Sequence, residues 1–229
     1  MDLSVAEAAS RLGVDRSRVE QLLRSGRLVG RRSGRLWLID ADVLAAMSAH
    51  PRAAGRPMAP ARAWGLLDLL DGGAAAWLSP VARSQVRALL RSLEEPDPDH
   101  WRGLLRARSD VRHARVHPAA LARLDAESSV LPAGAGPAAQ AGVDLLAIDP
   151  MPEVYVQEQD WKPLAKALHA QVVPAGGNLI VRIPQCVWPF EGRDVVGASA
   201  LAADLLEAAE PRAVEAGRRL LLDRLQAFR

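Results

Sequence analysis

The sequence predicts an α+β fold, and three observations predict it. Apolar residues recur at helical spacing at the start, in the middle and at the end of the 229 residues. Short β-prone runs stand near residues 27–39 and again after residue 150. Two stretches rich in proline, glycine and alanine divide the chain.

Ser4 followed by Glu7 forms a capping box, and Val5, Ala8, Ala9 and Leu12 then fall at i, i+3, i+4 and i+7, so the first helix has one apolar face. Gly13 breaks it. Asp15 is a good N-cap for a second helix with a buried stripe of Val19, Leu22 and Leu23, and Gly26 supplies the stop. "RLVGR" and "RLWLI" flank Arg32-Ser33-Gly34, a hairpin signal, with Leu36 and Leu38 expected to hold the hairpin to the core. Asp40 is expected to cap a third helix with Val43, Leu44 and Met47 inward. Helix, turn, helix, hairpin, helix is the order of a winged helix-turn-helix, assigned to residues 1–49. "HPRAAGRPMAP", residues 50–60, reads as a linker.

Residues 61–129 read as a central helical segment. Ser79-Pro80 opens a helix on Val86, Leu89, Leu90 and Leu93; Asp97-Pro-Asp99 is a stop and a new start before Trp101, Leu104 and Leu105; Pro118 to about Ala126 is another helix. "VLPAGAGPAAQAG", residues 130–142, reads as a second linker. Residues 143–229 then predict a small α+β domain. In it "EVYV" is a strand, Asp160 caps a helix on Trp161, Leu164, Ala165 and Leu168, and "QVVP" and "NLIVRI" form a hairpin around Ala175-Gly176-Gly177. Ser199 is expected to cap a helix carrying Leu201, Leu205 and Leu206, and Pro211 to open a long one ending near Phe228.

The net charge of +2 is unevenly spread: +4 over residues 1–60, +1 over 61–128 and −3 over 129–229. The front of the chain is the part suited to a polyanion. With 27 arginines and two lysines, however, arginine number alone says little. No apolar run approaches the roughly 20 residues that span a bilayer, and "MDLSVAEAAS" lacks the basic start of a secretory signal, so a cytoplasmic location without membrane contact is expected. Cys186 stands alone and is expected to be a small packing residue.

On the second helix the face opposite the apolar stripe carries Ser17, Gln21 and Arg24, flanked by Arg16 and Arg18. These side chains can hydrogen-bond base edges and phosphates in a major groove. Glu20 borders this face. Arg31, Arg32 and Arg35 lie at or beside the hairpin tip, where a wing reaches phosphates or a narrow minor groove. The competing reading is a solvated, arginine-biased surface. Arg83, Arg87 and Arg91 form a further stripe, read as a solvated helix face. His100, His113, His117 and His169 show no metal-ligand spacing, and no G-x-S-x-G, P-loop or G-x-G-x-x-G occurs. Neither a catalytic set, a metal nor a cofactor is expected. Trp188-Pro189-Phe190 is read as an anchor closing the C-terminal core.

The segment "LSVAEAASRLGVDRSRVEQLLRSGRLVGRRSGRLWLIDADVLAAM" resembles the excisionase-like, MerR-related helix-turn-helix family. The remainder resembles actinobacterial regulators related to AbiEi-type antitoxins, through "AWGLLDLLDGG", "WLSPVARSQVRALLRSL", "RVHPAALARL", "DLLAIDPMPEVYVQEQDWKPLAKAL" and "VWPFEGRDVVGASALAADLLEAAEPRAVEAGRRLL". The resemblance implies a transcriptional autorepressor; because one winged domain covers only a half-site, double-stranded operator DNA is expected to be bound by a homodimer or by paired monomers. The resemblance also implies an antitoxin that neutralises a nucleotidyltransferase-like toxin, whose chemistry would belong to that partner. An excisionase-like DNA-bending recombination factor and an effector-sensing transcriptional regulator are the alternatives.

Overall fold

The computed structural model describes residues 2–12, 14–24, 28, 30–34, 36–41, 44, 57–94, 97–124, 127–140, 151–174, 176–208 and 210–229. The chain divides into two units, Met1–Pro51 and Arg52–Arg229. Among the described residues no helix is long and apolar enough to cross a membrane.

The N-terminal unit follows its local signals. The Ser4 backbone N–H donates to Glu7 Oε2 at 2.7 Å and the Glu7 N–H donates to Ser4 Oγ at 3.3 Å, so the capping box starts α1 (Val5–Leu12). Asp15 Oδ1 accepts from the Arg18 N–H at 2.7 Å and starts α2 (Arg16–Arg24). The wing is β2 (Gly30–Ser33) paired antiparallel with β3 (Leu36–Asp40), turning at Gly34 with φ +63°. A strand the sequence did not signal, β1 (Asp2–Leu3), pairs with the other edge of β3, giving the order β1-β3-β2. Leu3, Ala8, Ala9, Val19, Leu22, Leu23, Leu28, Ile39 and Leu44 form the core.

The expected wing packing is corrected. Leu36 is 68% exposed and Leu38 is half-buried, whereas Ile39 is fully buried and Trp37 packs against the core. Side chains alternate across a strand, so Trp37 and Ile39 share the inward face, and Leu36 and Leu38 the outward one. The predicted stops at Gly13 and Gly26, and Val43 and Met47 of the third helix, lie outside the described residues; Ala41 and Leu44 are helical.

In the second unit, α3 (Pro60–Leu70) is buried from Ala63 to Leu70 and forms the centre of a helical core with α4 (Pro80–Ser92) and α5 (Pro98–Leu105). Ser79 caps α4 by accepting from the Ala82 N–H, and Asp97 caps α5, as their positions predict. Part of the predicted 50–60 linker belongs to this core: Met58 packs against it and donates its N–H to the Leu104 carbonyl.

Residues 61–129 are not helical throughout. Ser109–Arg115 form β4, the longest strand among the described residues; a four-residue α6 (Pro118–Leu121) replaces the longer helix expected there. The second predicted linker holds β5 (Val130–Ala133) and α7 (Ala135–Gln140), with Ala133 and Ala138 buried. Then come β6 (Glu153–Val156), α8 (Glu158–Ala167), β7 (Gln171–Val173), β8 (Leu179–Pro184), α9 (Ala198–Leu205) and α10 (Pro211–Phe228).

The sheet order is β5-β6-β8-β4-β7, with β6 and β8 parallel and the other pairs antiparallel. The predicted hairpin of "QVVP" with "NLIVRI" is therefore wrong, because β4 lies between β7 and β8. Its sequence, SDVRHAR, has too few apolar residues to signal a strand; its pairing on both edges decides the structure. Along β6 and β8 the residues alternate. Val154, Val156, Leu179, Val181 and Ile183 pack with Trp161, Leu164 and Leu168, while Tyr155 faces the helical core.

Two predicted caps are also corrected. Helix α8 begins after Gln157, placing Asp160 in its first turn, and α9 begins after Gly197. The Asp71 carboxylate, at the end of α3, accepts from the Ser199 N–H at 3.0 Å and from its hydroxyl at 2.8 Å, so a distant acid caps α9. Phe190 closes the core as expected, its ring edge-on to Trp64 and Trp188 at 5.4 and 5.2 Å. Cys186 is exposed, contrary to its expected packing role.

Candidate nucleic-acid interface

Helix α2 is split into two faces by its sequence. Val19, Leu22 and Leu23 are buried, and Arg16, Ser17, Glu20 and Gln21 are exposed with Arg18 half-buried beside them. The polar face is internally arranged. Ser17 Oγ donates to Asp15 Oδ1 at 2.6 Å, and this bond with the Arg18 N–H holds the Asp15 carboxyl below its ordinary range. The Ser17 hydroxyl proton is thereby committed, and its oxygen remains as an acceptor. Arg18 donates to the Gln21 side-chain oxygen, which leaves the Gln21 amide N–H₂ as a donor. The backbone of Arg24 ends α2, but its side chain and all of Arg35 lie outside the described residues.

On the wing, register separates the arginines. Arg31 pairs with Leu38 and Arg32 with Trp37, so the two side chains leave opposite faces of the hairpin. Arg31 forms an ion pair with Asp2 while its side chain stays 68% exposed. The Arg32 guanidinium lies 5.6 Å from the centroid of Trp37. The sequence placed both beside the tip; it did not separate them by face.

This geometry is that of a helix-turn-helix followed by a β-hairpin. Residues 3–47 match the family model described as a helix-turn-helix domain. The N-terminal unit thus carries a helix-turn-helix domain, about a fifth of the 229 residues. No curated protein and no solved structure matches the chain.

Outside the helix-turn-helix domain the strongest electrostatic feature is one the sequence did not reveal. Arg108, Arg182, Tyr155 and Asp204 are buried together with Glu153 and Glu207 at their side. Asp204 Oδ1 accepts from Arg108 Nη2 at 2.8 Å and from the Tyr155 hydroxyl at 2.6 Å, and Arg182 donates to Glu153 at 2.9 Å and to Glu207 at 2.6 Å. Burial works against every charge, yet the two guanidiniums hold the Glu207 carboxyl down to about 2. Burial wins at Glu153, whose carboxyl is raised, and keeps the Tyr155 hydroxyl protonated as a donor. Partners up to 99 residues apart in sequence make this cluster a tie between Arg108, just before β4, strands β6 and β8, and the end of α9. Of the predicted stripe, Arg87 and Arg91 are exposed, but Arg83 folds back to the Leu78 carbonyl at 3.1 Å.

Proposed function

We propose that the protein is a sequence-specific transcriptional repressor that binds operator DNA through its helix-turn-helix domain. The observation that carries this reading is the polar face of α2, with Arg16, Ser17, Arg18 and Gln21 set opposite the buried Val19, Leu22 and Leu23. Arg16 and Arg18 suit guanine edges or phosphates, and Gln21, tethered through its oxygen, offers its amide protons to a base acceptor. Arg31, Arg32 and Arg35 act on the backbone at the flank, and the exposed Arg31–Asp2 pair costs little to exchange for a phosphate. One winged domain covers a half-site, so binding uses two copies on paired sites.

The finer role is that of an antitoxin repressing its own promoter, with a nucleotidyltransferase-like toxin as the neutralised partner. Support comes from the resemblance of the C-terminal motifs to AbiEi-type regulators. Selection of duplexes from a randomised library tests the DNA reading, with a repeated half-site motif expected and no enrichment as the contrary result. Co-expression with the product of the adjacent gene tests the antitoxin role: growth is restored if this chain neutralises it and not otherwise.

A further inference from the structure

The second unit holds an open groove of about 540 Å³ at the end of β4 and β7, and its walls carry Arg115, His117, His169, Gln171, Gly176 and Asn178. Among the described residues no carboxylate lines it. A concavity of this size is in the range of small-ligand sites. The Arg115 guanidinium, which reaches the Gly176 carbonyl at 3.5 Å, and the polar groups beside it give this wall a character that suits an anion.

Three features show that the groove is built. Asn178 clamps Val116 from both sides, accepting from its N–H at 2.8 Å and donating to its carbonyl at 2.8 Å. A Cβ on Gly177 would stand 2.3 Å from the Ala114 carbonyl oxygen, so the loop can lie this close to β4 only with glycine there. His117 Nδ1 accepts from the Ala119 N–H at 3.2 Å, which fixes the proton of the neutral ring on Nε2 as a donor.

The fourth feature points to use. His169 follows the end of α8 in the left-handed conformation, φ +49°, and the Ala170 N–H reaches the Ala165 carbonyl at 2.8 Å in the usual helix-ending pattern. Glycine is the low-strain residue at that position, and a histidine there costs stability. Its imidazole lines the groove beside Arg115 and His117. The helix-ending turn thus sets His169 on the groove wall at a small cost that a glycine would avoid.

We propose that this groove binds a phosphate ester, with Arg115 opposing its charge and His117 and His169 donating to its oxygens. The phosphate belongs either to a free nucleotide-sized ligand or to a nucleic-acid backbone. The full-length chain is titrated with ADP, with adenosine as control, following the imidazole C2–H signals of His117 and His169 by NMR. ADP shifts both signals and adenosine does not. Arg115→Gln weakens ADP at least about tenfold, as expected on losing a charged hydrogen bond. His169→Gly weakens it while the melting temperature holds or rises by about 2 °C, because strain is relieved. That pairing separates loss of a ligand contact from misfolding. If ADP is without effect but Arg115→Gln lowers the salt slope of duplex binding by about one, the phosphate is that of a nucleic-acid backbone. Equal shifts with adenosine, wild-type ADP binding in His169→Gly, or an Arg115→Gln variant unchanged towards both ADP and duplex overturn the proposal. The ADP arm contains no DNA, so its failure leaves operator selection untouched.

Discussion

Arg31 in the N-terminal unit and Arg108 in the second both sit in ion pairs with aspartate, and they are physically opposite. The Arg31 side chain is 68% exposed and the Arg108 side chain 1%. Water and salt screen the first pair, which is worth about 0–1 kcal/mol and can be exchanged for a phosphate. The second is sealed with Asp204, Glu207 and Tyr155, where removing one partner strands a charge out of water. In a chain with 27 arginines, burial and partner decide which of them can meet a ligand.

The sharpest way to break this contrast is Asp204→Ala. It leaves Arg108 buried beside a lost counter-charge and should cost about 3–5 kcal/mol in urea unfolding. Asp2→Ala should cost under about 1 kcal/mol. Comparable losses in the two variants would erase the distinction.

Acid offers a second lever on the buried cluster. The Glu207 carboxyl lies at about 2, below the ordinary 4.5, so its contribution is present above pH 4.5 and is lost as pH falls from there towards 2. Burial raises Glu153 and Asp71, which therefore gain protons on folding and add stability as pH falls towards their ordinary values of 4.5 and 3.8. Urea midpoints against pH should rise slightly on approach to 4.5 and drop below it, and Glu207→Gln should flatten the drop.

The wing gives the smallest paired test. Ile39→Ala removes a fully buried side chain and should cost about 2–4 kcal/mol; Leu36→Ser, on the outward face, should stay within about 0.5 kcal/mol. A large loss for Leu36→Ser would restore the packing that its hydrophobicity suggests.

These contrasts also mark how far the sequence could be read. Caps and helical stripes are local, so Ser4, Asp15 and Ser79 announced their helices, and the exposure of Arg16, Ser17 and Gln21 opposite the buried stripe of α2 was legible too. The wing was legible as a hairpin, but not its inward face: "LWLI" is apolar at every position, and only pairing with β1 and β2 selects Trp37 and Ile39. Strand β4 escaped because its long-range pairing on two edges outweighs its own weak propensity. The ionic cluster escaped for a related reason. Arg108 and Asp204 are 96 residues apart, and nothing near either residue distinguishes it from a surface charge.

The most direct measurement is equilibrium binding of the full-length chain to its selected duplex by fluorescence anisotropy, between 50 and 250 mM salt, with Gln21→Ala and Arg32→Ala alongside. With roughly four to six phosphates neutralised, log affinity should fall against log salt with a slope of about −4 to −5. Gln21→Ala should lose about 1–3 kcal/mol of sequence discrimination, and Arg32→Ala should weaken all duplexes alike with a slope shallower by about one. A flat salt response, with both variants indistinguishable from wild type, would contradict DNA recognition by α2 and the wing.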